Sequence, residues 1–344
     1  MGKLELFSIL WDSPHGVYCA GEILQGRVIV HINTNMKMRG IWLTLSGSAK
    51  VSWSETTGTG DDKSSRSYEA KENYFNILLT LCGKAPGEHG DDHILPEGQY
   101  EFPFSLQLPQ VLPSSFEGKY GYVRYAAKAT IDRPWRFNYN TTCAFTVVGI
   151  LDLNTQQNAM TSITQSKQKT LCCLCCRSGP ISATLSIPRL GYVPGESIPL
   201  SAEITNMSNR NVASSKVELI QMTKFYAENE NNTRIKEITR MRRGRIPAGG
   251  CQVWNGELLQ IPAVPPSFLP GCGIIDVQYF LKMVIEPSGP SRKLEIGPVE
   301  IMIGTIPHRD ASPQPASSSS RSRSSAPPSY KDVVFGKYQQ CRQP

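Results

Sequence analysis

The stretch GVYCAGE at residues 16–22 returns as LGYVPGE at residues 190–196, with Tyr18, Gly21 and Glu22 matched by Tyr192, Gly195 and Glu196. An interval of 174 residues is the size of a whole domain and not of a short repeat. A second pair follows in the same order: Leu106-Gln-Leu-Pro109-Gln-Val-Leu-Pro113-Ser-Ser-Phe116 aligns with Leu259-Gln-Ile-Pro262-Ala-Val-Pro-Pro266-Ser-Phe268. Each copy then enters an alternating run, Val123-Arg-Tyr125 or Val277-Gln-Tyr279. Between these landmarks a period of two dominates. Tyr100-Glu-Phe102-Pro-Phe104-Ser-Leu106 and Ile41-Trp-Leu43-Thr-Leu45 alternate as half-buried strands do. Residues 27–32, 122–131, 181–187, 216–222, 275–285 and 293–303 are also β-rich, and little reads as helix. The expected fold class is therefore all-β: two tandem antiparallel β-sandwich lobes with a disordered C-terminal tail.

The boundaries expected are a first lobe at 1–150, a Cys-rich linker at 151–178, a second lobe at 179–304 and a Ser/Pro-rich tail at 305–344. The interval between copies shortens by about twenty residues from the first block to the second. The first copy should thus hold an insertion, placed at residues 54–98, whose polar and glycine-rich composition suggests mobility.

No apolar run approaches the roughly 18–20 residues of a membrane span, and the N-terminal MGKLELFSIL lacks the pattern of a signal peptide. The net charge of +7 is unevenly placed: residues 305–344 hold six Lys/Arg against two acidic residues, leaving +3 for the body. A nucleic-acid partner is not expected. Nor is an enzyme, since there is no Gly-x-Ser-x-Gly, no phosphate-binding Gly-rich loop and no His-Glu-x-x-His. No cofactor and no metal is called for. His89-Gly-Asp-Asp-His93 holds metal-compatible residue types but reads as a solvated loop.

The paired Tyr-x-x-Gly-Glu turns, the Leu-Pro-x-x-x-Pro-Ser-Ser-Phe segment before Gly121-Tyr-Val-Arg-Tyr125, the hinge KTLCCLCCRSGPIS and a tail with Pro-Pro-x-Tyr together resemble the arrestin-domain-containing proteins, or α-arrestins. That family includes thioredoxin-interacting protein. The resemblance implies an arrestin fold in the cytoplasm, recruited to plasma membrane and endosomes. It also implies an adaptor that brings WW-domain HECT-type ubiquitin ligases to receptors or transporters for endocytosis.

Of residues 311–329, nine are Ser and four are Pro, a composition unable to bury enough apolar surface to offset ordering entropy. Within it, Pro327 and Pro328 favour polyproline II and Tyr330 adds the fourth-position ring, the pattern a WW-domain groove takes. Many family members resemble one another in carrying two such motifs; this chain has one.

Three further groups are singled out. Arg240, Arg242, Arg243 and Arg245 form a basic stretch suited to anionic lipid head groups or phosphorylated cargo tails. Cys172, Cys173, Cys175 and Cys176 crowd too closely for paired zinc ligands and suit S-acylation or hinge packing. Cys251 resembles in position the cysteine through which thioredoxin-interacting protein meets thioredoxin, so a redox-linked inhibitor is one alternative function. A sorting-coat subunit similar to the arrestin-fold subunit of retromer is the other.

Overall fold

The computed structural model describes residues 4–13, 15–57, 63–173, 176–289 and 293–310, with backbone alone at 57, 172–173 and 176–178. Contacts divide the chain into two units. One comprises residues 1–150 with 225–231 and 269–275; the other comprises the remainder.

The first unit contains β1 (Leu4–Trp11), β2 (Val17–Cys19), β3 (Ile23–Ile32), β4 (Met36–Met38), β5 (Gly40–Thr57), β6 (Ser64–Gly83), β7 (His93–Leu95), β8 (Gly98–Gln107), β9 (Phe116–Glu117), β10 (Gly121–Asp132) and β11 (Tyr139–Val148). A three-stranded sheet β1-β3-β8 and a larger sheet β2-β11-β10-β5-β6 make the sandwich, with β9 on β10 and β4 paired to β7. The alternation read in the sequence is what fills it. Ile41, Leu43, Leu45, Val123, Tyr125, Ala127, Ala129 and Ile131 are all but inaccessible, while the residues between them in each strand are half-buried or exposed.

The second unit has β12 (Ile163–Cys173), β13 (Cys176–Ile187), β14 (Gly191–Tyr192), β15 (Ser197–Asn206), β16 (Val212–Ala227), β17 (Glu230–Arg243), β18 (Cys251–Gln260), β19 (Ile275–Pro287) and β20 (Leu294–Ile303), apart from residues 225–227, 230–231 and 275, which fall in the first. Its sheets are β12-β13-β15-β18 and β14-β20-β19-β16-β17. Among the described registers, the strand pairs are antiparallel apart from one short parallel pair in each unit, β2 with β11 and β14 with β20.

The two repeated blocks are repeated because each does the same backbone work twice. In the Tyr-x-x-Gly-Glu turn, Gly21 and Gly195 stand at φ 77° and 91°. Their N–H groups donate to Pro109 and Ile261 carbonyls, both at 2.9 Å. The glutamate then closes the turn: the Glu22 carboxylate accepts the Cys19 N–H, and the Glu196 carboxylate accepts the Val193 N–H at 3.0 Å. Gly195→Ala should cost about 1–2 kcal/mol in urea denaturation, since a Cβ disfavours that φ, and an unchanged midpoint would refute this account of the glycine.

In the second block a serine clamps the last strand reciprocally. Ser115 N–H donates to Val147 O at 2.9 Å while Val147 N–H donates to Ser115 Oγ at 3.0 Å; Ser267 and Ile303 repeat the pair, both at 2.9 Å. Tyr125 Oη donates to Pro113 O at 2.6 Å, and Tyr279 Oη to Pro265 O at 2.7 Å. The structural partner of Pro113 is therefore Pro265, one residue earlier than the sequence alignment places it.

The insertion is a different object from the one expected. Residues 54–57 and 64–83 continue β5 and β6 into a hairpin registered from Gly40↔Gly83 to Thr57↔Ser64. Trp53 and Tyr68 stack across it at 5.1 Å, and Ser54 and Ser67 share a 3.0 Å hydrogen bond. Polarity misled here because β6 is an edge strand, mostly exposed, whose pairing uses the backbone and tolerates any solvent-facing side chain. Likewise, polar residues 163–169 belong to edge strand β12 and pair with β13 from Ile163↔Ile187 onward.

Candidate functional site

Pro327, Pro328 and Tyr330 lie outside the described residues, as does Cys175. Along the backbone Cys173 of β12 pairs with Cys176 of β13, and Cys172 pairs with Arg177.

The arginine stretch ends β17, at the edge of its sheet, and its four charges have different surroundings. Arg240 is exposed and ion-paired to Glu237 at 3.6 Å, a contact of the kind that contributes little in water. Arg243 is half-buried, ion-paired to Glu257, with its guanidinium 5.4 Å from the Trp254 ring centre. It acts as a strut between β17 and β18. Arg242 donates to Ser214 Oγ at 3.2 Å, and Arg245 is exposed with no ion pair among the described residues. Arg242 and Arg245 are thus the two of the four with no ion pair among the described residues.

Cys251 opens β18 opposite Thr205 and is exposed, whereas Cys19, Cys82, Cys143 and Cys272 are only partly accessible. Burial pushes the thiols of Cys82 and Cys272 up, disfavouring their thiolates. His89 and His93 are exposed, and the Lys37 ammonium, 2.9 Å from Asp92, holds that carboxyl below its ordinary range. Among the described residues no three His, Cys, Asp or Glu side chains gather as metal ligands. No helix among them is long and apolar enough to cross a membrane.

One feature escapes a reading of the sequence: the turn between β10 and β11, Arg133-Pro-Trp-Arg-Phe-Asn138. Trp135 is 100% and Phe137 93% exposed. The only hint in the sequence is two aromatics inside a six-residue connection between strands, where turn residues would suffice.

Residues 7–154 match the model of the arrestin (or S-antigen) N-terminal domain, and residues 177–308 match that of the arrestin (or S-antigen) C-terminal domain. Arrestin domain-containing protein 17 of Caenorhabditis elegans is 32% identical over 89% of this chain and 72% of its own length. Arrestin domain-containing protein 4 of Mus musculus is 33% identical over 97% of this chain and 83% of its own. Thioredoxin-interacting protein of Pongo abelii is 30% identical over 96% and 85%. Two matched arrestin domains in tandem, on two β-sandwich units, and relatives of this kind matched over most of this chain and of their own length identify the chain as a member of the arrestin-domain-containing proteins, the α-arrestins.

Proposed function

We propose that this arrestin-family adaptor recruits WW-domain HECT-type ubiquitin ligases through Pro327, Pro328 and Tyr330, and that its two lobes hold the cytoplasmic parts of membrane receptors or transporters. The observation that carries the reading is Pro327-Pro328-Ser329-Tyr330 in a Ser/Pro-rich tail behind two arrestin domains. The chain supplies no chemistry in this scheme. It raises the concentration of ligase beside cargo lysines at the plasma membrane or endosomes. Arg242 and Arg245, with Arg240 and Arg243 beside them, are suited to phosphorylated cargo tails or anionic head groups. The cysteines at 172, 173, 175 and 176 are candidates for S-acylation.

Calorimetry of isolated WW domains against the full chain tests the proposal. Micromolar binding should weaken by more than about 30-fold in Tyr330→Ala, the loss of one aromatic anchor worth at least about 2 kcal/mol. Binding that survives the substitution would remove the ligase from the scheme. A second reading is favoured by the exposure of Cys251: thioredoxin, named as the partner of one relative, docks there. Capture of thioredoxin by the parent but not by Cys251→Ser would support it.

A further inference from the structure

The β10–β11 turn is built in a way that folding does not require. Trp135 sits at φ 56° directly after Pro134. A proline followed by a positive-φ residue is the pattern of a type II turn, whose second central position favours glycine or asparagine. Trp135 gains no burial in return, being fully exposed. The duplicated fold supplies a control. The equivalent connection of the second unit, between β19 and β20, begins Ser288-Gly289-Pro290, with Gly289 at φ 84°. There the positive φ falls on a glycine, one place nearer the end of the preceding strand than Trp135.

The tip is braced with its aromatics outward. Arg133 donates from Nε to the Phe137 carbonyl at 2.9 Å and also from Nη2, and its guanidinium lies 3.7 Å from the Tyr139 ring centre. Its backbone N–H donates to Asn138 Oδ1 at 3.1 Å. Arg133 is thereby occupied in holding the turn. Arg136 is exposed and has no ion pair among the described residues; Asp132, just below the tip, is already held by Arg39 at 2.8 Å. The segment 133–138 contains no acidic residue. Arg133, Trp135, Arg136 and Phe137 line an open recess of about 570 Å³.

From this we infer that residues 133–138 form a membrane-docking tip that seats Trp135 and Phe137 among the lipids of an anionic bilayer, with Arg136 on a phosphate-bearing head group. An indole and a phenyl ring two residues apart on one exposed turn suit the boundary between head groups and acyl chains, where both rings are desolvated and the indole N–H stays wet. One free guanidinium fits a head group beside inserted rings. A phosphorylated peptide would call for several converging donors, and those of Arg133 are committed to the Phe137 carbonyl and the Tyr139 face. The site is independent of the tail, so its test and the WW-domain test fail separately.

Co-sedimentation of the full chain with phosphatidylcholine vesicles, with and without phosphatidylserine, tests the inference. The parent should bind vesicles containing phosphatidylserine. The double variant Trp135→Gly/Phe137→Ser should partition at least about tenfold less, the exposed rings contributing most of the apolar insertion. Its melting temperature should not fall, because glycine suits φ 56° and neither ring is buried. Arg136→Glu should remove the preference for phosphatidylserine. The other tryptophans are buried or half-buried, so brominated lipid should quench chiefly Trp135, and Trp135→Phe should abolish the quenching while retaining most of the binding. Absence of binding by the parent, equal binding by the double variant, or quenching that persists in Trp135→Phe would each overturn the proposal. So would a tip that responds to a phosphorylated peptide and not to vesicles.

Discussion

Tyr279→Ala should destabilise the second unit by about 5 kcal/mol, a large part of the 5–15 kcal/mol that typically holds a domain together. The ring is wholly inaccessible, and truncating a buried aromatic to alanine costs about 3–5 kcal/mol. The hydroxyl adds to this. It donates to Pro265 O at 2.7 Å and accepts from the buried Gln221 amide at 2.8 Å, so its loss orphans a donor as well as an acceptor. Calorimetry should show a drop in melting temperature of about 10–20 °C for that unit. Milder variants separate the two contributions. Tyr279→Phe should cost about 2 kcal/mol and Tyr125→Phe nearer 1 kcal/mol, because Tyr125 makes the same bond to Pro113 without a glutamine feeding it. Equal losses for the two phenylalanine variants would show that the Gln221 contact contributes nothing.

Arg189→Ala should cost about 2–4 kcal/mol. Arg189 is buried beside the second Tyr-x-x-Gly-Glu turn, where it ion-pairs with Glu196 at 3.2 Å, donates to Gly191 O at 3.0 Å and covers the Tyr192 ring at 4.3 Å. Removing one member of a largely buried pair leaves the other desolvated without compensation, which is why truncation costs more than the pair is worth against water. Because the charge is screened from solvent, the loss measured in urea should change little between low and moderate salt. A loss under about 0.5 kcal/mol would mean that water replaces the guanidinium at no cost. The matched position of the first copy is His15, an imidazole where the second copy has a guanidinium.

The duplicated sandwich was legible because its closures depend on particular residues. Gly21 and Gly195 must take positive φ, Ser115 and Ser267 must offer an oxygen to the last strand, and Tyr125 and Tyr279 must reach a carbonyl. Such requirements leave marks in the sequence. The extension of β5 and β6 left none, since an edge strand exposed on much of its length is held by backbone hydrogen bonds that any polar side chain permits. In the arginine stretch, sequence conveyed the charges but not their partners: Glu237 and Glu257 occupy two of the four. The tip at 133–138 was hidden for a third reason. A hydrophobic residue between strands reads as core until its exposure is known.

The parallel pairs β2–β11 and β14–β20 also set a timetable for synthesis. Val17 meets Thr146 and Gly191 meets Met302, so β2 and β14 must each wait for more than a hundred residues before this neighbour exists. At about 5–20 residues per second that is several seconds in which the long β5–β6 hairpin has formed but its sheet is incomplete. Tyr330 leaves the ribosome only after β20 has been made. The motif proposed to bind a ligase thus follows every strand described in the two sandwiches.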